Sequence, residues 1–271
     1  MPEQFVMERL GDNMTRLKLT RTREILSEVI KTAQEESWGY LTLLDRLLGE
    51  EVAGKEQRRI STVLRTSGLP YIKTLDEFDF TFQPGIDRRQ VGNLFDLGFI
   101  ERKENIIFLG PPGVGKTHLA VALAVRAAGA GETIHFTTMS DLIRKLRADR
   151  EAGYISKCRR PYQRAGVVVV DEVGYTPIDR DECNLFYQFV AMRYERSSTI
   201  ITSNKAFDEW SELFHDSVIV TAILDRLLHH SVVVNIKGNS YRLKGKLPAM
   251  THTESVKPTE EPRQEEAMPD K

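Results

Sequence analysis

The feature that most constrains this chain is a glycine-rich loop between an apolar run and a helical run. Residues 110–117 read Gly-Pro-Pro-Gly-Val-Gly-Lys-Thr, which matches the phosphate-loop pattern Gly-x-x-x-x-Gly-Lys-Thr at every position. Asn105–Leu109 before the loop is predicted to be a buried strand, and His118–Ala130 after it a helix. In that setting, backbone N–H groups surround phosphates and the helix N-terminus adds partial positive charge. We therefore expect a nucleotide-binding α/β domain.

After residue 76, predicted strands and helices alternate, which is typical of a parallel sheet covered by helices on both faces. The run Val167–Val170 is entirely β-branched, as expected for a central strand buried on both sides. Besides Asn105–Leu109, the predicted strands are Thr133–Thr137, Val167–Val170, Thr199–Thr202 and Val232–Ile236. The later helices are predicted at Met139–Arg150, Asp181–Ser197 and Thr221–His230.

Three regions are expected along the chain. Residues 1–75 are predicted to form a small helical unit, with helices at 17–30, 38–48 and 56–65. Residues 76–248 form the nucleotide-binding domain, and residues 249–271, rich in Pro, Glu and Thr, form a disordered acidic tail. Arg58, Arg59 and Arg65 in the helical unit are either solvated charges or contacts for a partner or DNA.

Composition narrows the cellular setting. Apolar residues make up 41% of the 271 residues and charged residues 28%, as in an ordinary globular protein. Two cysteines are too few for a disulfide framework, which favours a reducing cytoplasm. No apolar run is long enough to span a bilayer, so we expect no membrane association.

The predicted loop and strands supply the groups that phosphoryl transfer requires. Lys116 should reach the β- and γ-phosphates of a bound nucleotide, and the Thr117 hydroxyl should bind Mg²⁺. The apolar run of the third strand ends in Asp171 and Glu172, fifty-four residues after Thr117. Asp171 is expected to hold the outer coordination shell of the magnesium ion, and Glu172 to accept a proton from the attacking water. The expected contacts of the loop itself are Gly110, Pro111, Pro112, Gly113, Val114, Gly115, Lys116, Thr117 and His118.

A polar pair, Ser203 and Asn204, follows the fourth predicted strand. An amide side chain at that position can hold the attacking water or sense the γ-phosphate. Alternatively, Asn204 simply forms a turn, which is a common use of asparagine after a strand.

Nine segments, spread over about three quarters of the chain, together carry a family resemblance: Trp38–Leu41, Lys73–Leu75, Phe78–Phe80, Asn105–Ala120, Asp171–Tyr175, Arg193–Arg196, Thr202–Asn204, Ala222–His230 and Gly238–Arg242. With these segments the chain resembles the IstB family of insertion-sequence ATP-binding helper proteins. This family is related to DnaC helicase loaders and DnaA initiators within the AAA+ superfamily.

The resemblance implies an AAA+ ATPase that binds ATP and Mg²⁺ at subunit interfaces of a homo-oligomeric ring or spiral. It implies double-stranded DNA and an IstA-type transposase as partners, in the nucleoid of a bacterial cytoplasm. Asn204 matches a sensor position, Arg226 an arginine finger that reaches a neighbour's ATP, and Arg242 a second sensor that contacts nucleotide. From the residues alone, Arg226 could equally form a surface ion pair. The region after His230 is too short and polar for a full C-terminal lid.

A basic segment lies between the second and third predicted strands. Residues 144–164 contain eight basic and two acidic side chains. In the initiator and loader relatives this region faces DNA, so we expect sequence-independent phosphate contacts. The alternative is a solvated helix face. The expected DNA contacts are Arg144, Lys145, Arg147, Lys157, Arg159 and Arg160.

Two competing functions remain at this point. A loader of a replicative helicase would share the ATP site and differ in its partner. A nucleotide switch without catalysis would bind ATP as a structural ligand, but Glu172, Asn204 and Arg226 together argue against it.

Overall fold

A five-stranded parallel sheet organises the molecule, whose computed structural model describes residues 3–153, 160–214 and 216–244. The strands are β1 (Asn105–Leu109), β2 (Ile134–Thr138), β3 (Val167–Val173), β4 (Ser198–Ser203) and β5 (Ser231–Asn235). Their order in the sheet is β2-β3-β4-β1-β5, and each neighbouring pair is parallel. The predicted parallel α/β fold is therefore confirmed.

Helices cover both faces of this sheet. Successive strand residues point to opposite faces, so Ile106 and Phe108 join one core and Ile107 and Leu109 the other. The helix at Lys116–Gly129 packs in the first core, whereas the helices at Met139–Glu151, Arg180–Arg193 and Ser217–His229 pack in the second. After the N-terminal region, the helices are α4 (Arg88–Leu94), α5 (Gly98–Glu101), α6 (Lys116–Gly129), α7 (Met139–Glu151), α8 (Pro161–Arg164), α9 (Arg180–Arg193), α10 (Trp210–Leu213) and α11 (Ser217–His229).

The N-terminal region forms α1 (Glu3–Arg16), α2 (Thr20–Glu35) and α3 (Tyr40–Thr66). The second and third predicted helices are in fact one continuous helix of 27 residues, so their separation was wrong. The glycines in α3 cost helix propensity, but packing against α2 compensates for that cost. After α3, the Ser67 carbonyl accepts a hydrogen bond at 2.7 Å from the Phe136 N–H on edge strand β2.

Strand β3 is longer than predicted and does not lie directly beside β1. It runs through Asp171 and Glu172 to Val173, with an irregular register between Val170 and Val173. β4 lies between β3 and β1 in the sheet. The acidic pair is therefore part of a bulged strand.

Local signals explain the other shifted boundaries. α9 ends four residues before the prediction because Tyr194 leaves the helical conformation, with a ψ of 125°, and Glu195 is left-handed, with a φ of 57°. α11 begins four residues earlier than predicted because the Asp216 carboxylate caps it, accepting from the N–H groups of Val218 and Ile219. Among the described residues, no helix is long and apolar enough to cross a membrane. The acidic tail predicted at 249–271 lies outside the described residues.

Candidate nucleotide-binding site

The glycine-rich loop connects β1 to α6, as predicted, and its glycines adopt conformations that other residues rarely take. Gly110, Gly113 and Gly115 have φ values of 145°, 82° and 101°. A Cβ atom on Gly113 would collide with the Ser240 side chain, and one on Gly115 would lie 2.5 Å from the Phe78 ring. The loop therefore needs glycine both for its backbone path and for the segments packed against it.

Lys116 begins α6 and folds back over the loop. Its Nζ donates hydrogen bonds to the carbonyl oxygens of Gly110 at 2.7 Å and Pro111 at 2.8 Å. The side chain is buried, and this burial lowers its pKa while the Asp171 carboxylate opposes the shift. A lysine held this way has a charge that is poorly solvated and available to an anion at the loop.

Asp171 is the centre of a buried hydrogen-bond network. The Thr117 hydroxyl donates to its two carboxylate oxygens, at 2.9 Å and 3.2 Å. The Thr202 hydroxyl on β4 also donates to the Asp171 carboxylate. Hydroxyl and carboxylate oxygens are the ligands that Mg²⁺ prefers, so this donor set fits that ion.

Glu172 lies beside this network with an exposed side chain that faces the cavity. Its φ of 61° is unusual for a residue other than glycine. The Glu172 N–H donates to the Thr202 hydroxyl oxygen at 3.1 Å. Thr202 thus holds both acidic residues through one hydroxyl group, a role that the sequence analysis missed.

Asn204 follows β4 and lines the same cavity. Its side-chain oxygen is buried and has no hydrogen-bond partner among the residues that the structure describes. An unpaired buried acceptor is costly, so this oxygen is suited to a water or ligand donor within the cavity.

The cavity has a volume of about 410 Å³, and two segments outside the loop form its walls. Residues of Tyr71–Gln83 and of Asn239–Lys244 line it, and we call these segments the linker wall and the C-terminal strap. Of the loop residues predicted to contact nucleotide, Pro112–His118 line the cavity, whereas Gly110 and Pro111 do not. The His118 Nε2 lies 3.0 Å from the Thr74 carbonyl oxygen. Arg242 in the strap also lines the cavity, as its predicted nucleotide contact requires.

Direct contacts hold the strap against the loop and the linker wall. The Tyr241 N–H donates to the Gly113 carbonyl oxygen at 2.9 Å, and the Gln83 amide donates to the Asn239 carbonyl oxygen at 2.8 Å. The Lys244 ammonium donates to Asp79 at 2.8 Å. The sequence analysis named the Phe78–Phe80 and Gly238–Arg242 motifs only as part of the family resemblance and did not predict that the linker wall and the strap contact each other.

Arg226 lies on α11, outside the residues that line the cavity. Its guanidinium is 4.9 Å from the centre of the Tyr187 ring and donates to the Ala222 carbonyl oxygen at 3.0 Å. The structure therefore does not bring Arg226 to the nucleotide cavity of its own chain.

Much of the charge in the predicted basic segment is paired within the chain. Arg144 lies 2.6 Å from Asp141, and Arg147 lies 2.7 Å from Glu182. Lys145 is half-buried, with its Nζ 3.5 Å from the Thr137 hydroxyl. The predicted contacts Lys157 and Arg159 fall within the gap at 154–159, outside the described chain.

Arg160 has a structural partner that the sequence analysis did not identify. It lies 2.6 Å from Asp149, which is buried and also accepts a hydrogen bond at 2.6 Å from the Tyr162 hydroxyl. Removing Arg160 would leave a buried carboxylate poorly compensated. The segment is thus a partly neutralised surface, not a row of eight independent charges.

The loop between β1 and α6, the acidic pair on β3 and the strand order together define a phosphate-loop nucleotide-binding protein with the AAA+ fold. The chain belongs to the family of IstB-like ATP binding proteins, whose model matches residues 12–249.

Its relatives include ATP-binding proteins of two insertion sequences. It is 44% identical to that of IS21 from Pseudomonas aeruginosa, over 93% of this chain and 95% of the relative. It is also 44% identical to that of IS5376 from Geobacillus stearothermophilus, over 88% of this chain and 95% of the relative. AMPPCP-bound DnaA from Aquifex aeolicus shares the fold, with a TM-score of 0.52 and 19% identity over 65% of this chain and 54% of that one.

Proposed function

We propose that this protein is an ATP-dependent, self-assembling DNA-binding ATPase of an insertion sequence. It would act with an IstA-type transposase in target DNA selection and transposition. One observation carries the proposal: Lys116, Thr117, Glu172 and Asn204 line a single cavity, with Asp171 bonded to Thr117 at its base. Its relatives are ATP-binding proteins of insertion sequences, which favours transposition over helicase loading.

ATP hydrolysis follows from the roles that these groups can take. Lys116 and the loop N–H groups would bind the phosphates, while Thr117 and Asp171 would hold Mg²⁺, which neutralises developing phosphate charge. Glu172, exposed to the cavity, would accept the proton of the attacking water. Asn204 would hold that water through its unpaired oxygen. Arg242 in the strap would contact the nucleotide as a sensor.

Assembly would complete the site. Arg226 is half-buried on α11 and lies outside its own cavity, which suits an arginine that acts on a neighbour's nucleotide. Such an arginine contributes about 10³–10⁵ in rate in phosphate-loop proteins. Arg226→Ala should bind ATP as a single subunit yet fail to hydrolyse it. Mixing it with Lys116→Ala should restore some hydrolysis, because one intact site can form at a mixed interface. No recovery in any mixture, with oligomers of normal size, would contradict the role.

DNA binding would use basic side chains that subunits align when ATP joins them. Arg144 and Arg147 on α7 are candidates because weak ion pairs between exposed side chains exchange readily for phosphate contacts. The helical region at 1–75, with Arg58, Arg59 and Arg65, is a second candidate surface for the transposase or DNA. We expect residues 249–271 to contribute to neither activity.

Duplex DNA binding in several salt concentrations, with and without ATP, tests this proposal. Arg144→Gln/Arg147→Gln should weaken ATP-dependent binding and reduce the salt slope by about 2, since each phosphate contact contributes about 0.9. Arg102→Gln/Lys103→Gln is the matched control, because it removes two charges before β1, at the opposite end of the strand from the phosphate loop. Arg160 is left intact because it supports buried Asp149. Equal salt slopes for the two double variants would show that DNA binds at another surface. If ATP does not change DNA binding by the wild-type protein, the proposed dependence of DNA binding on ATP is wrong.

A further inference from the structure

We propose that Glu195, His229 and His230 form a binding site for one divalent transition-metal ion of the Zn²⁺ class. The site lies where the turn after α9 meets the end of α11. None of these three residues lines the nucleotide cavity, so the proposal is independent of ATP chemistry.

The ligand atoms are already close together. One donor atom from each residue lies within 4.8 Å of the other two. The His230 Nε2 lies 3.7 Å from the Glu195 Oε1. Tetrahedral zinc with bonds of about 2.1 Å places its donors about 3.4 Å apart. Because the three side chains are exposed, small rotations can close the remaining gap.

A hydroxyl group orients one of the imidazoles. The Tyr194 hydroxyl lies 2.6 Å from the His229 Nδ1; when the Nδ1–H donates to the Tyr194 oxygen, the lone pair of Nε2 is available to bind a metal. Histidine ligands commonly hydrogen-bond through their second nitrogen in this way, which fixes the ring.

The backbone that presents the ligands is also held. Glu195 has a φ of 57°, and the turn around it is closed by hydrogen bonds from the Arg196 and Ser197 N–H groups to the Arg193 carbonyl. On the other side, the His230 carbonyl oxygen accepts from the Asn105 N–H at 2.8 Å. The ligands therefore project from two turns whose paths are fixed before any ion binds.

The donor set indicates which ions would bind. Two imidazoles and one carboxylate suit Zn²⁺, Co²⁺ or Ni²⁺, whereas Mg²⁺ prefers oxygen donors. Three protein ligands leave a fourth position for water or for a donor from another molecule. A bound ion would tie the end of α11, one turn after Arg226, to the turn after α9.

Calorimetric titration of Zn²⁺ into the metal-free, untagged 271-residue chain tests the proposal. A Cys158→Ser background removes one competing thiol, while burial raises the pKa of the Cys183 thiol to about 11 and keeps it protonated. The variants are Glu195→Gln, His230→Gln and Tyr194→Phe. Glu101→Gln is the matched control, since it removes one exposed carboxylate from α5. Circular dichroism verifies that each variant is folded.

The expected result is saturable binding of one Zn²⁺ per chain. Glu195→Gln and His230→Gln should weaken it by at least about tenfold, and Tyr194→Phe by about tenfold, as for outer-shell partners of other metal sites. Glu101→Gln should bind like the parent protein. Absence of saturable binding, or equal affinity in the His230→Gln variant, would overturn the proposal.

Discussion

Replacement of Thr202 by valine would remove one hydroxyl from the centre of the site while nearly conserving its shape. Thr202 is 1% exposed, and its hydroxyl donates to Asp171 and accepts from the Glu172 N–H. A hydrogen bond to a charged group contributes about 1.5–3 kcal/mol, and an N–H left unpaired costs about 1–3 kcal/mol. Because Glu172 is exposed, water can hydrogen-bond to its N–H and offset part of the cost of leaving that group unpaired. We therefore expect Thr202→Val to lower the free energy of unfolding by about 2–4 kcal/mol.

Urea unfolding followed by circular dichroism, without nucleotide, measures this loss. Thr202→Ser is the control, because it keeps the hydroxyl and loses one buried methyl group, worth about 1 kcal/mol. Thr202→Val should also hydrolyse ATP more slowly than Thr202→Ser, since both acidic residues lose a shared anchor. If valine is tolerated as well as serine in both assays, the hydroxyl does not organise the site.

Three further predictions follow from individual contacts. Gly113→Ala should abolish ATP binding in a fluorescent-nucleotide titration, because residue 113 has a φ of 82° and a Cβ atom there would collide with Ser240. The control Gly49→Ala should bind ATP normally, because a Cβ atom at this position in α3 would have nothing within 4 Å. Tyr162→Phe should lower the unfolding free energy by about 1–3 kcal/mol in urea, because buried Asp149 loses a donor; an unchanged midpoint would contradict this. Burial lowers the pKa of His135 from 6.5 to about 4, so the folded protein disfavours its charged form. Stability should therefore fall by up to about 3 kcal/mol as pH drops from 6.5 to 4, and this slope should disappear in His135→Gln.

The parts of the fold that the sequence predicted correctly depend on short-range patterns. The bounds of β1 match the prediction because an apolar run ends directly at a glycine-rich turn. The parallel sheet follows from alternation of strands and helices, which needs no knowledge of tertiary contacts. Lys116, Thr117 and Asp171 come together because a phosphate loop and an acidic strand end occupy the same edge of such a sheet.

The parts that sequence analysis missed depend on contacts between distant residues. The C-terminal strap reaches the loop through Tyr241 and Gly113, which are far apart in the chain. Arg147 pairs with Glu182 and Arg160 with Asp149, so a count of charges along residues 144–164 overstated the free positive charge. Hydrogen-bond and ion-pair partners of this kind are set by packing, which composition and periodicity do not encode.

Single-turnover hydrolysis of ATP by Glu172→Gln tests the central claim most directly. The amide cannot accept a proton, so we expect the variant to bind ATP like the wild type while hydrolysis slows by about 10²–10⁴. Lys116→Ala, measured alongside, should lose ATP binding itself, because the phosphates lose their main charged partner. Hydrolysis by Glu172→Gln at the wild-type rate would contradict the assignment of the base and, with it, the proposed reaction geometry.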